Sequence, residues 1–174
     1  MESRDPKRWA ALVVVLMATL LSIVSVFISN VALPVIQEDL GASAGQAQMI
    51  LAGYNLMFGL FLVTGGRLGD LYGIKRVFLL GLTLFTAASA VSGFAPGPVS
   101  LIGSRAAQGL GAALMIPQVM SFIQVYFTGR ERGMALGAYA AVGGFGSTAA
   151  QLLGGWLIAA DWFGLGWRMI YLLN

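Results

Sequence analysis

The sequence predicts an all-α integral membrane protein with five transmembrane helices and the start of a sixth. Three observations carry that prediction. Of its 174 residues, 58% are hydrophobic and only 10% are charged, with a mean hydropathy of +0.83, a balance that suits lipid and not water as the main solvent. Four windows, residues 9–37, 40–66, 77–104 and 133–160, contain no Asp, Glu, Lys or Arg. Each exceeds the roughly 20 residues that cross a hydrocarbon core of about 30 Å. Finally, the basic residues gather at alternate connections between the apolar runs.

The first span, about residues 9–30, follows Arg4, Lys7 and Arg8. Its start resembles a secretory leader, but the apolar run is too long and shows no clear small-residue cleavage site, which predicts an uncleaved helix. Pro34, in VALP, is expected to close it, because proline lacks the N–H that a continuing helix uses. The second span covers about 46–66. The third covers about 77–95 and stops at the Pro96-Gly97-Pro98 turn. The fourth covers about 99–127, and the charged stretch TGRERG separates it from the fifth, about 134–160. After DWFGLG, a sixth run starts near residue 168 with WRMIYLLN. Residues 1–8 are thus a short amino terminus, and 9–174 an incomplete amino-terminal bundle.

Charge sets the expected orientation. Arg67, Lys75 and Arg76 lie between spans two and three, and Arg130 and Arg132 between spans four and five. The other connections carry Glu38, Asp39 and Asp161, with Arg168 as their only basic residue. By the positive-inside rule the amino terminus is cytoplasmic and the protein is multi-pass in the cell (inner or plasma) membrane. The net charge of +3 is spread between apolar spans, which argues against nucleic acid as a partner. Cysteine and histidine are absent, so thiolate chemistry, disulfides and imidazole metal sites are excluded; no metal or cofactor is expected. An enzyme is not expected either. The sequence offers no nucleophile, base and orienting group together, and Gly65, Gly66 and Gly69 close a membrane span instead of following a strand.

One residue stands against this background. In SLIGSRAAQGLGAAL, Ser100 to Leu114, Arg105 lies about 10 Å below the outer end of span four at about 1.5 Å per residue. An arginine at mid-helix costs about 2.5–3.5 kcal/mol on insertion scales. One reading is an arginine that snorkels to the headgroups and anchors the helix. The other is a polar pivot turned toward the bundle interior. Gln108, one turn on, and the smooth stripe of Gly109, Ala113 and Pro117 at spacing four favour the pivot, since small residues let a second backbone approach.

At these residues the chain resembles a known family. LIGSRAAQGLGAA is similar to the fourth-helix motif of the major facilitator superfamily of secondary transporters, l-x-x-x-R-x-x-q-G-x-g-a-a. GGRLGDLYGIKRV, Gly65 to Val77, resembles its motif between helices two and three, G-x-L-a-D-r-x-G-r-k. ISNVALPVIQEDLGAS and WRMIYLLN resemble the end of helix one and the W-R-x-x-F-x-x-N start of helix six in its fourteen-helix drug:proton antiporter branch. The resemblance implies the amino-terminal half of a two-half fold, with the missing carboxyl-terminal half of the same transporter as partner. It implies secondary active efflux of small drug-like molecules by alternating access, with protons as the coupling ion.

The resemblance also implies roles. Gly66, Asp70, Gly73 and Lys75 fall at motif positions of a cytoplasmic gate, with Arg76 and Arg132 nearby; ordinary solvated positive-inside charges are the other reading. Leu71 and Ile74 depart from the motif. On span five, Gly146, Ala150 and Gly154 form one small-residue ridge and Gly143, Ser147 and Gly155, with Gln151, another; both suit helix packing. Ala150 and Gln151 replace the Gly-Pro pair of the antiporter motif. Ser25 stands where related antiporters often carry an aspartate, and no Asp or Glu lies within a predicted span, so a proton-carrying carboxylate would come from the missing half. Ser25, Asn30, Tyr54, Asn55 and Phe58 are candidates for a small-molecule cavity, with core packing as the alternative. The aromatic stretch around Trp156, Trp162 and Trp167 is expected to form an interfacial belt. The rival function is a non-transporting membrane protein that oligomerises through its smooth helix faces, or an inert truncated remnant.

Overall fold

A computed structural model describes residues 7–160 and 165–173. Among them are six helices and no strand: α1 (Lys7–Asp39), α2 (Ala44–Tyr72), α3 (Ile74–Gly93), α4 (Pro98–Tyr126), α5 (Gly129–Ala160) and α6 (Arg168–Leu172). The helices alternate in direction, so the connections with basic residues fall at one end of the bundle, called here the basic end. Helices α1 to α4 are long and apolar enough to cross a membrane. Helix α5, with 32 residues, is long enough, but its many glycines and alanines dilute its hydropathy.

Helix ends run past the apolar windows that predicted them. Pro34 does not close α1; it lies inside a helix of 33 residues. A single missing N–H is tolerated in a membrane helix whose other backbone bonds survive. The helix ends instead at Gly41, at φ 60°, where the Ala42 N–H bonds to the Gln37 carbonyl at 2.9 Å. Ser43 and Gln46 form a reciprocal capping box that starts α2. The stretch GGRLGD belongs to α2 and not to a loop, and the chain turns into α3 on Gly73 alone, at φ 94°. A side chain would be strained there. Arg130 to Arg132 likewise lie in the first turn of α5 instead of a loop.

Helix α4 is packed between α2 and α3, α5 lies along α1, and α6 rests on α3 and α1. Glycines set the closest approaches. A Cβ at Gly109 would strike the backbone of Tyr54, one at Gly65 the carbonyl of Ala113, and one at Gly111 the backbone of Gly81 and Phe85. Apolar clusters fill both ends, around Ile36, Leu101 and Trp167 at one and Met115, Ile123 and Phe127 at the basic end. At the basic end two arginines meet the carboxyl-terminal carbonyls of α4, where the helix dipole is negative. Arg8 donates to the Tyr126 carbonyl at 3.3 Å and pairs with Glu131 at 2.6 Å. Arg132 donates to the carbonyls of Phe127 and Gln124 at 3.0 and 2.9 Å.

Candidate functional site

Arg105 is 1% exposed, so it does not snorkel. It occupies a chamber walled by α1, α2, α4 and α6. Its Nη1 donates to the Ser25 hydroxyl at 3.2 Å and to Oε1 of Gln108. Gln108, itself fully buried, donates from Nε2 to the same Ser25 oxygen at 3.1 Å. The guanidinium lies over two rings, that of Tyr54, 4.4 Å from its central carbon, and that of Tyr171, at 5.7 Å. Its Nε is buried without a hydrogen-bond partner. The charge therefore rests on neutral groups: two acceptors and two aromatic faces, each face worth about 0.5–2 kcal/mol. No carboxylate touches it among the described residues.

The walls of the chamber are themselves bonded. The hydroxyls of Ser22 and Tyr54 share a hydrogen bond of 2.8 Å. Tyr171 donates to the Ser29 hydroxyl at 3.0 Å, and Ser29 donates back to the Ser25 carbonyl at 2.6 Å. Ser89 on α3 donates to the Tyr171 carbonyl at 2.9 Å. The spacing of Arg105 and Gln108 on one helix face was enough to place them together. Tyr171, Ser22 and Ser29 escaped sequence reasoning, since their roles depend on helices far apart in the chain. A signal existed for Tyr171, which takes the phenylalanine position of W-R-x-x-F-x-x-N.

The five cavity candidates divide. Ser25 and Tyr54 are buried in the chamber, and Phe58 stacks on Tyr54 at 6.3 Å. Asn30 and Asn55 are exposed and bond back to the carbonyls of Val26 and Leu51 in their own helices, at 2.8 and 3.1 Å. The structure does not bring all five into one cavity.

The gate candidates also divide. Asp70, Gly73, Lys75 and Arg76 line one recess of about 590 Å³ with Tyr126, but no ion pair forms between Asp70 and Arg67, Lys75 or Arg76. Arg132 is spent on the carbonyls at the end of α4. Gly66 makes ordinary contact with Pro117, whereas Gly69 abuts the Gln118 side chain, whose Nε2 donates to the Gly65 carbonyl at 2.8 Å. Gln118 thus ties the basic end of α2 to α4.

Of the packing candidates, Gly109 and Ala113 sit against α2, and Gly146 and Gly154 against Leu20, Ile23, Ile28 and Val31 of α1, with Ala150 buried between them. Gly155 is corrected: it is exposed, and nothing lies within 4 Å of where its Cβ would be. Only the Gly146 ridge of α5 packs. The aromatic belt needs correction as well. Trp156 is exposed, but Trp167 is 1% exposed and its indole N–H donates to Asp39 at 2.9 Å. Trp162 and Asp161 lie outside the described residues, as does Arg4.

Comparison with known proteins puts this geometry in a lineage. The sequence profile of the Major Facilitator Superfamily matches residues 15–174. The chain is 44% identical over 168 residues to a probable actinorhodin transporter of Streptomyces coelicolor, an alignment covering 97% of this chain and 29% of that protein. It is 41% identical over 171 residues to a puromycin resistance protein of Streptomyces alboniger, covering 98% of this chain and 33% of that one. To a cephamycin export protein of Amycolatopsis lactamdurans it is 38% identical over 173 residues, covering 99% and 35%. The chain spans about a third of the length of these relatives. A multi-pass helical bundle whose profile match runs from residue 15 to its last residue belongs to the Major Facilitator Superfamily.

Proposed function

We propose that this chain forms the amino-terminal helices of a secondary transporter that exports small, drug-like molecules by alternating access, in exchange for protons. The observation that carries the reading is the chamber: a fully buried guanidinium held by neutral groups and left with an unpartnered N–H. Membrane proteins keep such a costly group for function. The names of the relatives, which speak of transport, resistance and export, favour efflux over the oligomeric alternative. In this reading the basic end faces the cytoplasm, and the protein lies in the cell membrane. Arg105 and Gln108 form the polar pivot, and Asp70 with Lys75 and Arg76 forms a gate whose ion pairs close in another conformation. Asn30 and Asn55, exposed on α1 and α2, contact the small molecule. The proton-carrying carboxylate belongs to a carboxyl-terminal half, because α1 to α4 hold no Asp or Glu in their apolar windows.

The test uses inverted membrane vesicles containing this chain together with the carboxyl-terminal part of the actinorhodin transporter, energised by a pH gradient. Expected is gradient-dependent movement of a fluorescent cationic dye, lost in R105A while the variant still inserts. Absence of movement from a correctly inserted, co-assembled pair rejects efflux. A discrete homo-oligomer of the chain alone on native electrophoresis, with no dye movement, supports the rival.

A further inference from the structure

We infer that Asp39, Trp167 and Arg168 are positioning residues that set the register of α6 so that Tyr171 closes the Arg105 chamber. Helix α6 begins at Arg168, and side chains tie it to α1 and α3. At its start, one oxygen of Asp39 accepts from both the Trp167 indole at 2.9 Å and the Arg168 guanidinium at 2.7 Å. The Arg168 guanidinium also lies 4.5 Å from the Trp167 ring. One turn further, on the same helix face, Tyr171 meets the Trp167 ring edge-on at 5.9 Å. Its ring covers Arg105 and its hydroxyl reaches Ser29. On the α3 side, Gly93 admits Leu172, whose side chain a Cβ there would strike at 2.6 Å.

The carboxylate thus fixes the azimuth of α6 at one turn and the phenol reads that azimuth out at the next. A rotation of one residue, about 100°, would withdraw the ring from Arg105. The hydroxyl adds what phenylalanine could not: a link from α6 through Ser29 to the Ser25 carbonyl, the residue whose hydroxyl receives Arg105 and Gln108. Three residues at the end opposite the basic one therefore act on the guanidinium through Tyr171, without touching it. The inference leans on the proposed function only for what Arg105 does, and its test reads geometry, not transport.

The chain is produced with ¹⁵N-arginine and placed in lipid nanodiscs, and the guanidinium resonance of Arg105 is assigned by its loss in R105K. The two neighbouring aromatic rings shift that resonance away from those of solvated arginines. Y171L is expected to remove one ring's share of the shift, and Y171F to keep it. W167F, which keeps the ring but removes the N–H, and D39N, which removes the charge, are expected to move the Arg105 resonance in the direction of Y171L. D39E restores it. E131Q, at the basic end, leaves it in place. An Arg105 resonance unmoved by W167F and D39N overturns the inference, as does an equal movement in E131Q. If W167F fails to fold, D39N carries the test alone, because the Asp39 side chain is 45% exposed and its loss leaves no cavity.

Discussion

Arg105 sets a stability problem that its neighbours only partly solve. Two neutral acceptors and two rings offset part of its desolvation, and the orphaned Nε receives nothing. Even a buried ion pair replaced by apolar residues of similar volume is often neutral or stabilising, by about 1–4 kcal/mol, and Arg105 has only neutral partners to lose. R105M is therefore expected to unfold at the same or a higher temperature in detergent while abolishing dye efflux, a stability gain at the cost of function. The opposite is expected of S25A, which strips an acceptor from Arg105 and Gln108 together and should cost about 1–3 kcal/mol in the same thermal assay. The Arg105 and Gln108 pair is readable from their spacing on one face, and Ser25 from the motif position that it takes on α1. Tyr171 is readable only as the aromatic position of W-R-x-x-F-x-x-N, not as a neighbour of Arg105. Its role exists only when α6 is laid against α1, and nothing local to WRMIYLLN specifies that contact.

Among the elements, the α2 and α4 pair is held closest. The stripe of Gly109, Ala113 and Pro117 was legible because spacing four puts those residues on one face, and the structure sets it against α2. What faces it on α2, Gly65, read only as the end of a span, because the sequence does not show how far a helix runs beyond the lipid. G65A and G109A each place a methyl group against backbone that cannot move aside. Each is expected to cost about 1–3 kcal/mol by overpacking, seen as a lower unfolding temperature. G155A tests the other ridge. With open space around it, alanine should stabilise α5 by about 0.5–1 kcal/mol through backbone entropy alone. Equal effects of G155A and G146A, the latter pressed against Leu20 and Ile23 of α1, would reject this division of α5 into a packed and a free side. The choice between the two ridges was hidden because both have the same spacing and residue types.

In the whole molecule, α2, α3 and α4 form one tightly packed group and α1 with α5 another, joined at the basic end by Arg8 and at the opposite end by Asp39. The Asp39 joint responds to acid. N–H donation from Trp167 and then Arg168 holds the Asp39 carboxyl below its ordinary value of 3.8. A group with a lowered folded value contributes stability above its unfolded value, and that contribution disappears as pH falls through the folded one. The α1 and α6 junction should thus be unchanged from pH 7 to about 4 and loosen only below that. Trp167 fluorescence, in a variant with the other tryptophans replaced by phenylalanine, should report the loosening, and D39N should be loose at every pH. Loosening already near pH 6 would contradict this assignment. Five spans and the start of a sixth were legible from apolar windows; the grouping into two sets was not, because it depends on which glycines meet which backbones.

The partnership of α1 with α5 has a consequence for biosynthesis. The first helix leaves the ribosome long before its chief neighbour exists, and it must wait alone in lipid. An 18-residue stretch of it with a mean hydropathy of 2.8 makes that wait affordable. Thr19 and Ser29 spend their hydroxyl protons on carbonyls of their own helix, so they need no outside acceptor in the meantime. The guanidinium arrives later, when the serine of α1 and the phenol of α2 have already been translated, and Tyr171 emerges after all three, as a lid fitted after the contents.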